Sequence, residues 1–149
     1  MPLQNQITVV TPADYPRALE VWESSVRATH DFLTEADIQS LKPLVQNHCL
    51  MRMSLFCIRD ETEAVVGFLG VDAPKIEALF VDPAWQGKGV GRTLVGYAIK
   101  DLDADLVDVN EQNEQALGFY LHLGFEVAHR SEQDGFGKPF PLLHLKLPG

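Results

Sequence analysis

A single α+β domain built on a mixed β-sheet is the fold this sequence predicts. Three observations carry the prediction. The chain has 149 residues, the length of one domain that can bury a self-sufficient core. Stretches rich in β-branched residues and stretches with helical periodicity follow one another in the order β-α-α-β-β-β-α-β-α-β-β. No internal repeat and no linker-like segment divides the chain, so residues 1–149 read as one domain.

The first strand is expected over residues 6–11, where Ile7-Thr8-Val9-Val10 is β-branched and bounded by Asn5 and Pro12. Pro12-Ala13-Asp14 then opens a helix whose buried stripe is Tyr15, Leu19, Trp22 and Val26, fading near Thr29-His30-Asp31. Thr34-Glu35-Ala36-Asp37 resembles a capping box and starts a second helix, with Ile38, Leu41, Leu44 and Val45 as its apolar face. Pro43 is expected to kink or split that helix. Residues 54–59 and 64–71 form an antiparallel hairpin around the polar turn Asp60-Glu61-Thr62-Glu63, and Gly67 and Gly70 within it point to a bulge or a close backbone approach.

Residues 76–81 give the next strand, ended by Asp82-Pro83, and a helix follows over about residues 92–102 with Leu94, Val95, Ala98, Ile99 and Leu102 inward. A short strand covers residues 106–109. Asn113 caps another helix, which holds Ala116, Leu117, Tyr120 and Leu121 and stops at Gly124. Residues 125–132 and 142–147 are the last strands, either side of a Gly/Pro turn; in the second, Leu143, Leu145 and Leu147 alternate with His144 and Lys146.

Composition removes several function classes. Twelve Lys and Arg against 21 Asp and Glu leave a net charge of −9, which repels phosphate backbones and makes nucleic acid a poor candidate partner, so none is expected. The same field suits a cationic or amine-bearing partner, and equally serves plain solubility. Cys49 and Cys57 make no disulfide scaffold and no zinc-like spacing with histidine, so no metal is expected. Cys57 sits in the apolar run Leu55-Phe56-Cys57-Ile58 and reads as a small buried thiol; Trp22 reads as core, and His48, His122, His129 and His144 as surface groups. No apolar run approaches the ~20 residues of a membrane span. Residues 1–10 lack the pattern of a signal peptide, so a cytoplasmic location is expected; oligomeric state is not legible.

The strongest chemical signal is strand, glycine loop, helix. Gly87, Gly89 and Gly91 leave backbone N–H groups unobstructed by a Cβ, and the helix beside them adds its unpaired N–H groups and the positive end of its dipole. Such a turn suits a phosphate or pyrophosphate, and Lys88 and Arg92 add positive charge. It is not a P-loop, because Gly91-Arg92-Thr93 stands where Gly-Lys-Ser/Thr is needed. A dinucleotide fingerprint fails too, with Leu94 in place of its last glycine.

A second block makes the signal specific. Gln86-x-x-Gly89-x-Gly91 after a strand, then Asn110-x-x-Asn113-x-x-Ala116-x-x-Phe119-Tyr120-x-x-x-Gly124-Phe125, resembles the GCN5-related N-acetyltransferase (GNAT) superfamily. Residues 28–33 and 137–143 are further similar to small bacterial acetyltransferases of the YjaB type. The resemblance implies a single GNAT domain with acetyl-coenzyme A as cosubstrate. The strand at Leu79, Phe80 and Val81 would offer backbone groups to the pantetheine arm, which enters a gap between this strand and the one at residues 106–109. Gln86, Gly87, Lys88, Gly89, Val90, Gly91 and Arg92 would hold the pyrophosphate, and Asn110, Asn113, Phe119 and Tyr120 complete the cofactor side.

The resemblance also places the chemistry. Transfer to an amine needs a neutral nucleophile and a proton for the departing thiolate. Tyr120 matches the family's general acid; the competing reading is a helix-face aromatic packed beside Phe119. Glu77, a carboxylate in the apolar strand Ile76-Glu77-Ala78-Leu79-Phe80, is the general-base candidate. Alternation would place it on one face with Leu79 and Val81, and partial burial would raise its pKa. The alternatives are a solvated or ion-paired strand carboxylate, or a proton that leaves through water. Asp108 is an alternative acid on the neighbouring strand, and His30, Phe32 and Asp108 fall where the acceptor would bind.

The resulting expectation is an acetyl-coenzyme A-dependent N-acetyltransferase that moves acetyl to a primary amine by direct attack in a ternary complex. The acceptor is a small amine, an amino acid or a protein lysine. Two competitors stand beside it: a non-catalytic acyl-coenzyme A-binding module, and an acyltransferase using another acyl donor.

Overall fold

The computed structural model describes residues 7–29, 32–47, 54–134, 137 and 139–148. Its strands are β1 (Thr8–Val9), β2 (Leu55–Arg59), β3 (Val65–Asp72), β4 (Lys75–Val81), β5 (Leu106–Asn110), β6 (Glu126–Ser131) and β7 (Leu142–Lys146). Its helices are α1 (Tyr15–Thr29), α2 (Glu35–Val45), α3 (Val90–Asp101) and α4 (Glu114–His122). The strands form one seven-stranded sheet in the order β1-β2-β3-β4-β5-β7-β6. Every neighbouring pair is antiparallel except β4 and β5, whose parallel pairing needs a crossover that α3 supplies. The element order is the predicted one, and the sheet is mixed, as an α+β domain requires.

Two apolar clusters flank the sheet. Ala18, Val21, Trp22 and Val26 of α1 and Ile38 of α2 pack with Cys57, Val65, Phe68 and Ala78 on one face. Leu94, Val95 and Ala98 of α3 and Tyr120 of α4 pack with Ile58, Val66, Leu69, Val107 and Val109 on the other. Neighbouring strand residues such as Cys57 and Ile58, or Phe68 and Leu69, fall into opposite clusters, so the central strands are buried on both faces. Cys57 is fully buried, as its apolar run predicts.

Local departures from expectation have local causes. β1 is shorter than residues 6–11: the Thr11 N–H donates to the Asp14 carboxylate at 2.8 Å, and Pro12 opens a 3-10 turn in place of further strand. Pro43 does not split α2, which runs on to Val45; the Gln46 N–H returns to the Lys42 and Pro43 carbonyls beyond it. The capping box is present, with the Asp37 N–H donating to Thr34 Oγ1 and the Thr34 N–H to the Asp37 carboxylate. The α3 helix begins two residues earlier than expected, at Val90. It lies so close over β3 that a Cβ on Gly67 would stand 2.6 Å from Val90 Cγ1, which explains that glycine.

Candidate active site

The site begins with a defect in the sheet. The β3–β4 register moves from Gly70 opposite Ala78 to Val71 opposite Ile76, which leaves Glu77 as an extra residue. A bulge of this kind bends its strand and increases its twist. β4 and β5 accordingly pair only at Lys75 with Leu106 and Ile76 with Val107. Beyond those pairs a cleft of about 150 Å³ opens between residues 76–80 and residues 107–110. The β4 edge from Ala78 to Val81 therefore faces a gap instead of a neighbouring strand.

The glycine loop follows the end of β4. Asp82 caps a 3-10 turn at Pro83–Trp85, and the chain then passes through Gly87 at φ +75° and Gly89 at φ +85° into α3. Both values lie in the left-handed region that favours glycine. No atom lies within 4 Å of a Cβ placed on either residue, so the loop presents an open concavity. The first helical bond returns from the Thr93 N–H to the Gly89 carbonyl, leaving the N–H groups before it without a helical partner. Lys88 and Arg92 are exposed beside the loop, and neither makes an ion pair with a described residue. A concavity of N–H groups with unpaired cations fits the pyrophosphate of a coenzyme A thioester.

A second cleft of about 240 Å³ runs from this loop along α4. Leu79, Phe80 and Val81 line it from β4; Gln86, Gly87, Gly89, Val90, Gly91 and Arg92 from the loop; Asn113, Ala116, Phe119 and Tyr120 from α4. Asn113 is buried because its side chain caps α4, accepting from the Ala116 N–H at 3.1 Å. Gly91 has no side chain because a Cβ there would approach Phe119 Cζ to 3.3 Å. Asn110 lines the narrower cleft with Glu77, Asp108 and Tyr120.

Tyr120 is the residue common to both clefts that carries a titratable group. Its ring is 5% exposed and packs edge-on against Phe119 and Phe125, at centroid distances of 5.0 and 5.4 Å. Burial pushes its phenol pKa above the ordinary value of 10, so it keeps its proton at neutral pH. The hydroxyl bonds to no described residue, and no described buried side-chain oxygen or nitrogen lacks a partner. The hydroxyl is therefore reached from the cleft. Tyr120 thus packs against its aromatic neighbours and also lines both clefts.

Glu77 matches the solvated, ion-paired alternative and not the partly buried one. It is exposed, with Oε2 3.7 Å from Lys75 Nζ, and the bulge breaks the alternation that would have set it beside Leu79 and Val81. Ile76, Leu79 and Val81 share the α3–α4 cluster, a spacing that a regular strand forbids. Asp108 accepts from Lys75 Nζ at 2.5 Å on Oδ2 and contacts His144 Nδ1 at 2.7 Å on Oδ1. Burial acts to lower the Lys75 pKa, but Asp108 and Glu77 outweigh it and hold the ammonium above its ordinary value. His144, expected as a surface group, is instead held on both ring nitrogens, its Nε2 standing 2.6 Å from Ser131 Oγ.

Phe32 meets Phe140 at a centroid distance of 5.4 Å, which brings together the two stretches that resemble YjaB-type acetyltransferases. His30 and His48 lie outside the described residues. The sequence does not single out Ser25, which lines the wider cleft together with Thr29 and Trp85. Ser25 had left a signal: it is the one polar residue in the buried stripe of α1.

The comparisons agree with this architecture. The acetyltransferase (GNAT) domain family is matched over residues 52–127, and the chain belongs to that family. The protein is an N-acetyltransferase that draws its acetyl group from acetyl-coenzyme A. It is 44% identical over 129 residues to the peptidyl-lysine N-acetyltransferase YjaB of Escherichia coli strain K12, covering 87% of each chain. Against the Salmonella typhimurium protein of that name the identity is 41% over 132 residues, covering 89% of this chain and 90% of the relative. The solution structure of apo YjaB from Escherichia coli superposes with a TM-score of 0.89 at 39% identity, covering 100% of this chain and 99% of that one. A PaiA N-acetyltransferase from Thermoplasma acidophilum in complex with coenzyme A shares the fold, with a TM-score of 0.74 at 20% identity and 99% and 100% coverage.

Proposed function

We propose that the acceptor is the side-chain amine of a lysine within a protein or peptide. The relatives named peptidyl-lysine N-acetyltransferases motivate the choice of lysine. The single observation that carries the site assignment is the parting of β4 from β5 beside Tyr120, with the open glycine concavity at one end. The acidic chain, at −9, favours approach by a cationic segment.

Acetyl-coenzyme A supplies the activated acetyl thioester. The N–H groups around Gly87, Gly89 and the start of α3, with Lys88 and Arg92, bind its pyrophosphate. The unpaired β4 edge at Leu79, Phe80 and Val81 orients the pantetheine arm, and Asn110, Asn113 and Phe119 wall the other side. Tyr120 Oη holds a proton at neutral pH and donates it into the cleft toward the sulfur. Desolvation disfavours the phenolate and any thiolate in the same dry space alike, so it does not by itself widen the gap between them.

Glu77, exposed at the cleft mouth, takes the proton from the acceptor ammonium directly or through water. Both Asp108 oxygens are engaged, by Lys75 and His144, which suits a wall of the acceptor pocket better than a proton donor. His30 and Phe32 are acceptor residues by family position, and Phe32 packs with Phe140. Among the described residues no cysteine lines either cleft, which favours direct attack over an acetyl-cysteine enzyme. Thiol release with acetyl-coenzyme A tests the acceptor. A lysine-containing peptide should outcompete free amino acids and polyamines, and its lysine should gain acetyl by mass. Release with polyamines alone would overturn the proposal.

A further inference from the structure

Three strands at one end of the sheet bring Ser131, His144 and His129, which line neither cleft of the acetyl-transfer site, together with Asp108, which also walls the narrower cleft. Asp108 on β5 lies opposite His144 on β7, and His144 lies opposite His129 on β6. Ser131 is two residues beyond His129 and so shares its face. Ser131 Oγ stands 2.6 Å from His144 Nε2, and His144 Nδ1 stands 2.7 Å from Asp108 Oδ1. A nucleophile, a base within hydrogen-bond reach and an orienting carboxylate on the base's other nitrogen are the parts of a Ser-His-Asp centre, which geometry defines independently of fold.

Two further contacts fix the arrangement. His129 stacks on the His144 ring at a centroid distance of 4.2 Å and 18° between planes, so the imidazole is held in orientation. Lys75 Nζ occupies Asp108 Oδ2, which leaves Oδ1 to His144 Nδ1. Ser131 and His144 are half-buried and line neither of the two clefts described above, so Oγ is approached from the sheet surface.

We propose that Ser131, His144 and Asp108 form a second nucleophilic centre, at which Ser131 Oγ accepts acyl groups from small activated esters. In that step the Oγ–carbonyl carbon bond forms and the bond from that carbon to the leaving oxygen breaks. The Oγ proton passes to His144 Nε2 and then to the leaving oxygen, which departs with the bonding electron pair. The product is an O-acyl serine. The natural readout is a stoichiometric adduct, independent of acetyl-coenzyme A turnover.

Diisopropyl fluorophosphate is a suitable probe on the full chain: an Oγ–P bond forms, fluoride leaves with the P–F electron pair, and the Oγ proton goes through His144 to solvent. Peptide mass mapping should place the adduct on Ser131 ahead of every other serine, and 4-nitrophenyl acetate should add an acetyl there. Ser131→Ala should abolish both adducts. His144→Asn, folded by circular dichroism, should form them at least about 10²-fold more slowly, the low end of general-base catalysis. The wild-type protein alone suffices to overturn the proposal, by showing no Ser131 adduct or one no faster than at other serines. Equal labelling of wild type and folded His144→Asn would also overturn it, reducing the chain of contacts to a strand-bridging network.

Discussion

Replacing Gly89 by valine separates the loop's conformational role from its binding role. The residue sits at φ +85°, where an L-amino acid pays about 1–2 kcal/mol, more when β-branched. No atom lies within 4 Å of the added Cβ, so steric overlap within the protein adds nothing. Against a typical stability of about 5–15 kcal/mol the variant stays folded. At this chain length its melting temperature should fall by about 2–8 °C. At the proposed pyrophosphate site the added side chain would compete for the open space beside Gly89 that the phosphate needs. Losing one hydrogen bond to a charged group costs about 1.5–3 kcal/mol, or about 10- to 150-fold in affinity. Titration calorimetry with acetyl-coenzyme A should show that loss, while S-acetylpantetheine, which lacks the pyrophosphate, should bind both proteins alike. A folded Gly89→Val protein that binds acetyl-coenzyme A at wild-type affinity would remove the loop from the site.

Three other expectations follow from the same geometry. Glu77→Gln keeps shape and removes basicity; turnover should drop by about 10²–10⁴-fold with donor affinity unchanged, and wild-type turnover at every pH would assign the proton elsewhere. Gly67→Ala should cost about 1–3 kcal/mol in denaturant unfolding, because its Cβ would stand 2.6 Å from Val90 Cγ1; an unchanged midpoint would show that α3 can shift freely. Tyr120 keeps its proton to higher pH in the folded state than in the unfolded chain, whose tyrosines ionise near 10. Stability should therefore decline as pH rises past about 10, and Tyr120→Phe should flatten that alkaline limb. Parallel limbs in the two proteins would contradict the burial argument.

Much of this molecule was legible in its sequence because local chemistry and tertiary role agree. Thr34 with Asp37, Asn113 and Gly124 announce helix ends, and Gly87 and Gly89 announce a left-handed turn before a helix. The clefts take in most of the residues that the motifs single out, from Leu79 to Arg92 and along one side of α4. What was not legible is set by register. Alternation predicts a face for Glu77 only if β4 is regular, and the single extra residue opposite β3 reverses that prediction. His144 looked like a surface group because its partners, Asp108 and Ser131, come from strands distant in sequence that only the sheet order β5-β7-β6 brings together. Pro43 lies in the last turn of α2, and the helix runs on to Val45 with the Gln46 N–H returning to the Lys42 and Pro43 carbonyls.

The central claim is that Tyr120 donates a proton in the cleft between β4 and β5. Phenylalanine preserves the ring contacts with Phe119 and Phe125 and removes only the hydroxyl, which bonds to no described residue. Single-turnover transfer by Tyr120→Phe, with acetyl-coenzyme A and a lysine peptide both saturating, is the decisive measurement. The account predicts a stable protein with undiminished acetyl-coenzyme A affinity and a rate about 10²-fold below wild type. Equal single-turnover rates in the two proteins would contradict it and leave Tyr120 as a packing residue.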